Sequence, residues 1–156
     1  MDGTWCKEWR QGRRFILKIE PGQYLCERLQ AFARREGVQN AVIMSAVGSV
    51  RNAHFRGIKS GAKRPITRPR MRQHQVEGPL ELLGLEGNLI PGENGAVDCH
   101  LHIILGKSSG EAVGGHLFDA EVFASCEILL MEMLVEGVER CFSRSSGAPT
   151  IYIEEA

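Results

Sequence analysis

A chain of 156 residues, 43% apolar and 24% charged, is sized for one globular domain with a buried core. It contains no run near the roughly 18 apolar residues of a membrane span, and Met1 to Arg14 is polar and charged, unlike a secretory leader. A formal net charge of zero conceals two opposed halves: residues 1–76 carry 16 Lys/Arg against 5 Asp/Glu, and residues 77–156 carry 3 against 14.

Trp5 and Trp9, four apart in a short N-terminal extension, are placed to pack that segment onto the body or onto a neighbouring subunit. Arg14 to Glu20 reads as a first strand, closed by the turn signal Pro21-Gly22. Tyr24 to Glu36 reads as a helix, with Leu25, Leu29 and Phe32 at i, i+4 and i+7 and Ala33 on the same stripe. Gly37 suits the position just past its end. Ala41 to Val47 reads as an apolar strand buried on both faces, bending at Gly48 and continuing through Val50 to Ile58.

Arg51, Arg56, Lys59, Lys63, Arg64, Arg68, Arg70 and Arg72 form a basic stretch without an acid, partly in a loop punctuated by Gly61, Pro65 and Pro69. Such a stripe neutralises phosphates, or docks onto the acidic half of a second copy; a merely solvated face is the plain alternative. Val76 to Leu89 reads as a strand interrupted by glycines, and residues 90–95 as a turn. Residues 121–136 favour a helix by propensity, yet Val122, Ala124, Cys126, Ile128 and Leu130 alternate as in a strand. Val138 to Ser143 and Thr150 to Glu154 are short final strands. The five cysteines are odd in number and lack a C-x-x-C pair, which suits reduced thiols in a cytoplasm.

The chemistry concentrates in Cys99-His100-Leu101-His102 and Gly114-Gly115-His116. In a strand, residues i and i+2 face the same way, so His100 and His102 project together and His116 offers a third imidazole. Three protein nitrogens and an open position describe a catalytic or ligand-accepting zinc site. The alternative is three half-buried histidines bonded to backbone. Glu81 and Glu127, carboxylates interrupting apolar strands, are candidate acid–base or orienting groups. Asp98 and Asp119 are assigned to turns, and His54 and His74 to solvent or an interface.

Five segments in this order carry a family resemblance. They are strand-Pro21-Gly22-helix, Ala46-Val47-Gly48-Ser49-Val50, Glu81-Leu82-Leu83-Gly84-Leu85-Glu86-Gly87-Asn88-Leu89, His100-Leu101-His102 and Gly114-Gly115-His116-Leu117. The chain resembles the plant-and-prokaryote-conserved (PPC, or PCC) domain over residues 12–143, with residues 1–11 an extension and 144–156 a C-terminal strand and tail. The resemblance implies an α+β fold: an antiparallel-rich mixed sheet of six to eight strands with one main helix. It also implies a strand at 121–136, a homotrimer, and zinc on His100, His102 and His116. Plant members accompany AT-hooks in DNA-binding proteins; here the hook core Arg-Gly-Arg-Pro is absent, and Arg64-Pro65 and Arg68-Pro69-Arg70 only echo it. In place of the plant partner-binding segment stands Gly78-Pro79-Leu80-Glu81-Leu82-Leu83. Two functions follow as expectations: a zinc-binding trimer that binds DNA or regulates, or a zinc enzyme or small-ligand sensor.

Overall fold

The computed structural model describes residues 3–153, running β1 (Arg10–Ile19), α1 (Leu25–Glu36), β2 (Ala41–Ile58), a 3-10 turn (Arg68–Arg70), β3 (Met71–Pro91), β4 (Val97–Gly106), β5 (Ala112–Leu134), β6 (Val138–Ser143) and β7 (Ala148–Ile153). Five strands form one sheet in the order β1-β5-β2-β3-β4. Residues 112–116 of β5 also pair with β4, so β5, β2, β3 and β4 close a ring and every paired named strand is antiparallel. Residues 154–156, including the end of the expected last strand, lie outside the described residues. No helix among the described residues is long and apolar enough to cross a membrane.

The helix follows from its stripe: Leu25, Leu29, Phe32 and Ala33 are buried against the sheet. Tyr24 at the N-cap makes no side-chain cap. Asp119 of β5 does this instead, its Oδ1 accepting from the Cys26 N–H at 2.9 Å and the Ala120 N–H at 2.8 Å. Gly37 closes the helix at φ 65°, the left-handed conformation glycine takes most cheaply.

Residues 121–136 lie almost wholly in β5, whose alternation of buried Val122, Cys126, Ile128 and Leu130 with exposed Phe123, Glu127 and Leu129 is that of a half-covered strand. Partners on both edges, β1 and β2, satisfy its backbone groups and override helix propensity. β2 runs from Ala41 through Gly48 to Ile58 as read, with a register shift against β5 between Gly48 and Val50. It differs from its reading in being covered on one face only, since Met44 and Val47 are exposed. Gly48 is also a close approach to Ser125 and Cys126 of β5. The core is the aliphatic filling of the ring and the underside of α1, including Val50, Leu82, Leu101, Ile103 and Leu105.

Candidate metal centre

Strand alternation decides which face the histidines take. Leu101, Ile103 and Leu117 point into the core, so His100, His102 and His116 stand on the outer face of the ring. Register then aligns them. His116 of β5 pairs with Arg56 of β2 on one side and His102 of β4 on the other. His102 in turn faces Glu86 of β3, and one step along, His100 faces Asn88. Gly114 and Gly115 allow this: a Cβ on Gly114 would strike the Ile103 carbonyl, and one on Gly115 the Arg56 carbonyl. The Gly-Gly preceding His116 thus marks close strand approach.

The three rings sit 5.0–5.5 Å apart by centroid, and one ligand nitrogen from each lies within 4.8 Å of the others. Tetrahedral zinc with Zn–N of 2.0–2.1 Å places its nitrogens about 3.4 Å apart, a contraction within reach of small χ rotations. Burial, then Arg56, lowers the pKa of His116 to about 4. Burial, then Arg140, lowers that of His100. Both rings are therefore neutral at pH 7, the state in which imidazole donates to a metal. The donor set fits a divalent cation.

Arg140 of β6 is the residue that the sequence reading missed. It is 5% exposed, and burial lowers its pKa. Its Nη1 lies 3.1 Å from His100 Nδ1, its Nη2 donates to Asn88 Oδ1, and its Nε stands 4.0 Å from Asp98 Oδ2. A lone arginine in a short strand carries no local signal; only the packing of β6 against β3 and β4 brings it here. The site opens into a cavity of about 670 Å³, floored by the histidines and Arg56 and walled by Ile58, Ile66, Arg140, Ser146 and residues 148–150. The loop after β2 closes one side through Ile66, whose N–H donates to the Ser146 carbonyl.

Glu81 faces Ser49 and Gly106, and Glu127 faces Lys18 and Val47, so neither lines this cavity within one chain. Register instead places Glu86 opposite His102. Asp98 approaches Arg140, while Asp119 serves the helix. His54 is hydrogen-bonded to Gln73, and His74 stacks on Phe55. Trp5 packs against Tyr152 of β7, so the extension folds onto the body.

The basic stretch is divided. Arg51 pairs with Glu121, Arg56 enters the cavity, Lys59 donates to the Pro69 carbonyl, and Arg70 donates to the carbonyls of Lys63 and Pro65. Lys63, Arg64, Arg68 and Arg72 remain exposed.

A closed antiparallel sheet with one helix inside its curve and three convergent histidines outside defines an α+β domain with a surface metal-type site. The chain belongs to the Plants and Prokaryotes Conserved (PCC) domain family, whose model matches residues 6–134. A metal-containing protein from Archaeoglobus fulgidus is similar in structure, with a TM-score of 0.83 and 32% identity over 96% of this chain and 99% of that one. The bifunctional protein GlmU of a Synechococcus strain is 31% identical over 143 residues, 91% of this chain and 20% of that protein. AT-hook motif nuclear-localized protein 27 of Arabidopsis thaliana is 28% identical over 127 residues, 76% of this chain and 38% of that protein. The chain thus spans between a fifth and two fifths of the length of these curated relatives.

Proposed function

We propose that this is a zinc-binding, ligand-accepting PCC-domain protein that works as a homotrimer. The observation that carries the reading is the convergence of three imidazoles, two held neutral, at the floor of a cavity. His100, His102 and His116 are the ligands, and the open coordination positions face the cavity, which suits a sensor or an enzyme better than a structural site. Bound zinc would supply Lewis acidity and a water acidified toward neutrality. Glu81 and Glu127 serve such chemistry only if a second subunit delivers them. Five free thiols suit a reducing cytoplasm.

Self-association is supported by the outer sheet face, which leaves Ile16, Met44, Val47, Leu83, Ile104 and Leu129 exposed. Apolar surface of that extent on a folded chain marks an interface. The number three comes from the family resemblance.

A second reading, DNA binding in a regulatory role, draws on the exposed Lys63, Arg64, Arg68 and Arg72 and on the AT-hook relative. It requires affinity for duplex DNA that falls steeply between 50 and 200 mM salt; affinity that does not change with salt would remove it.

The test of the first reading is elemental analysis of purified protein beside the His100→Ala/His102→Ala double variant. About one zinc per chain is expected in the wild type and less than about a tenth of that in the variant. A wild type without metal after zinc addition would end this reading.

A further inference from the structure

Arg140 and Arg56 are the cations of the cavity, and neither reaches a carboxylate within hydrogen-bond distance among the described residues. The Nε of each is buried without a hydrogen-bond partner. The Arg140 side chain is 4% exposed, so little of it faces bulk solvent. A guanidinium offers five donors and no acceptor, and a buried fork left partly unpaired is costly.

The contact with His100 adds a second argument. Because Arg140 Nη1 can only donate, its 3.1 Å approach requires a lone pair on His100 Nδ1. A metal held by His100 removes that lone pair whichever nitrogen is used. Nδ1 either binds the metal itself or, with Nε2 on the metal, carries the proton of the neutral ring. Nη1 then loses its acceptor, beside an Nε that already lacks one.

From this we infer that Arg140 and Arg56 form an oxoanion seat coupled to the metal site, and that its ligand is a small α-hydroxy or α-keto carboxylate. The inference rests on the metal-binding reading above. Such a molecule offers carboxylate oxygens to the two guanidinium groups and an α-oxygen toward the histidines. Its carbon skeleton lies against the apolar wall of Ile58, Phe118 and Pro149. A carboxylate without the α-oxygen reaches only the arginines, and inorganic phosphate leaves the apolar wall uncovered. Linkage makes the coupling reciprocal: the metal strengthens the acid's binding by the factor by which the acid strengthens the metal's.

The experiment is calorimetric titration of lactate, acetate and inorganic phosphate into protein stripped by a chelator and then reloaded with one equivalent of zinc, with zinc content measured on every sample. The variants are Arg140→Gln and, because Arg140 is buried, Arg56→Gln at a half-buried position, each checked for a cooperative melt. Lactate is expected to bind the zinc-loaded wild type about tenfold or more tighter than the metal-free wild type, and about tenfold or more tighter than either zinc-loaded variant. Acetate and phosphate are expected to be weaker than lactate by a similar factor. Zinc retained with lactate affinity unchanged in the folded variants, or a preference for phosphate, would overturn the seat and leave the metal site standing. A wild type that takes up no zinc would instead overturn the metal-binding reading and the coupling with it.

Discussion

Arg13 and Arg140 show what this fold does with an arginine that has a carboxylate within hydrogen-bond distance and with one that has none. At the far end of β5, Arg13 closes a two-pronged pair on Glu132, with Nε and Nη2 each 2.8 Å from a carboxylate oxygen and the Arg13 backbone N–H 3.1 Å from Oε2. Glu132 is 8% exposed, and its pKa is lowered chiefly by the Arg13 hydrogen bond. The charges neutralise each other, and the arrangement pins β1 to β5. Arg140 is buried as deeply as Glu132, where Arg13 is half exposed, but spreads its donors over an amide oxygen and a histidine nitrogen and leaves Nε without a hydrogen bond. The first is a structural latch; the second holds a cation in reserve where a ligand would sit.

The comparison can be broken most severely at the latch. Glu132→Ala leaves Arg13 without its acceptor and opens a buried gap beside Gly12, and should lower the midpoint of thermal unfolding by roughly 5 °C. A midpoint shift under 1 °C would show that the pair does not hold β1.

Acid sharpens the contrast at the other end. In the unfolded chain the His116 ring takes up its proton near 6.5, but in the folded, metal-free chain only near 4. Between those values unfolding binds a proton, so stability is present above pH 6.5 and is lost as the pH falls toward 4. Allowing for solvent screening, metal-free protein should lose about 1–2 kcal/mol over that window. His116→Asn should flatten the slope; an unchanged slope in that variant would assign the acid sensitivity elsewhere.

The smallest effect belongs to Arg140 itself. Arg140 meets the half-exposed Asp98 only at 4.0 Å and leaves its Nε without a hydrogen bond, so its desolvation cost offsets its bonds to Asn88 and His100, and Arg140→Met should change metal-free stability by less than about 1 kcal/mol, in either direction. A loss several times larger in urea titration would make Arg140 a second latch and erase the contrast with Arg13.

Helix α1 was legible in the sequence because its determinants are local: an apolar stripe at 3.6-residue spacing and a glycine at the end. The histidine triad was legible for the same reason, since two ligands lie two apart on one strand and the third follows two glycines. Its surroundings were not. Arg140 lies forty residues from His100, and Asn88 and Glu86 meet the histidines only through the β3–β4 register. Glu81 and Glu127 looked equivalent to Glu86 in sequence because a carboxylate in an apolar strand carries no address. Arg56 was readable as one more phosphate-seeking cation, whereas pairing with His116 turns it toward the cavity.

By itself the sequence determined the elements whose information is short-ranged: the helix, the turns, the strand that carries His100 and His102, and the identity of the three imidazoles. At residues 121–134 propensity and alternation conflicted and the family resemblance favoured a strand; the tertiary structure bears that out, because hydrogen bonds to β1 and β2 outweigh a modest helix propensity. Tertiary structure alone decided which charges meet. A strand's period states which residues share a face, but only closure of the sheet and the docking of β6 select the neighbour across that face, and that neighbour sets the electrostatics of the site.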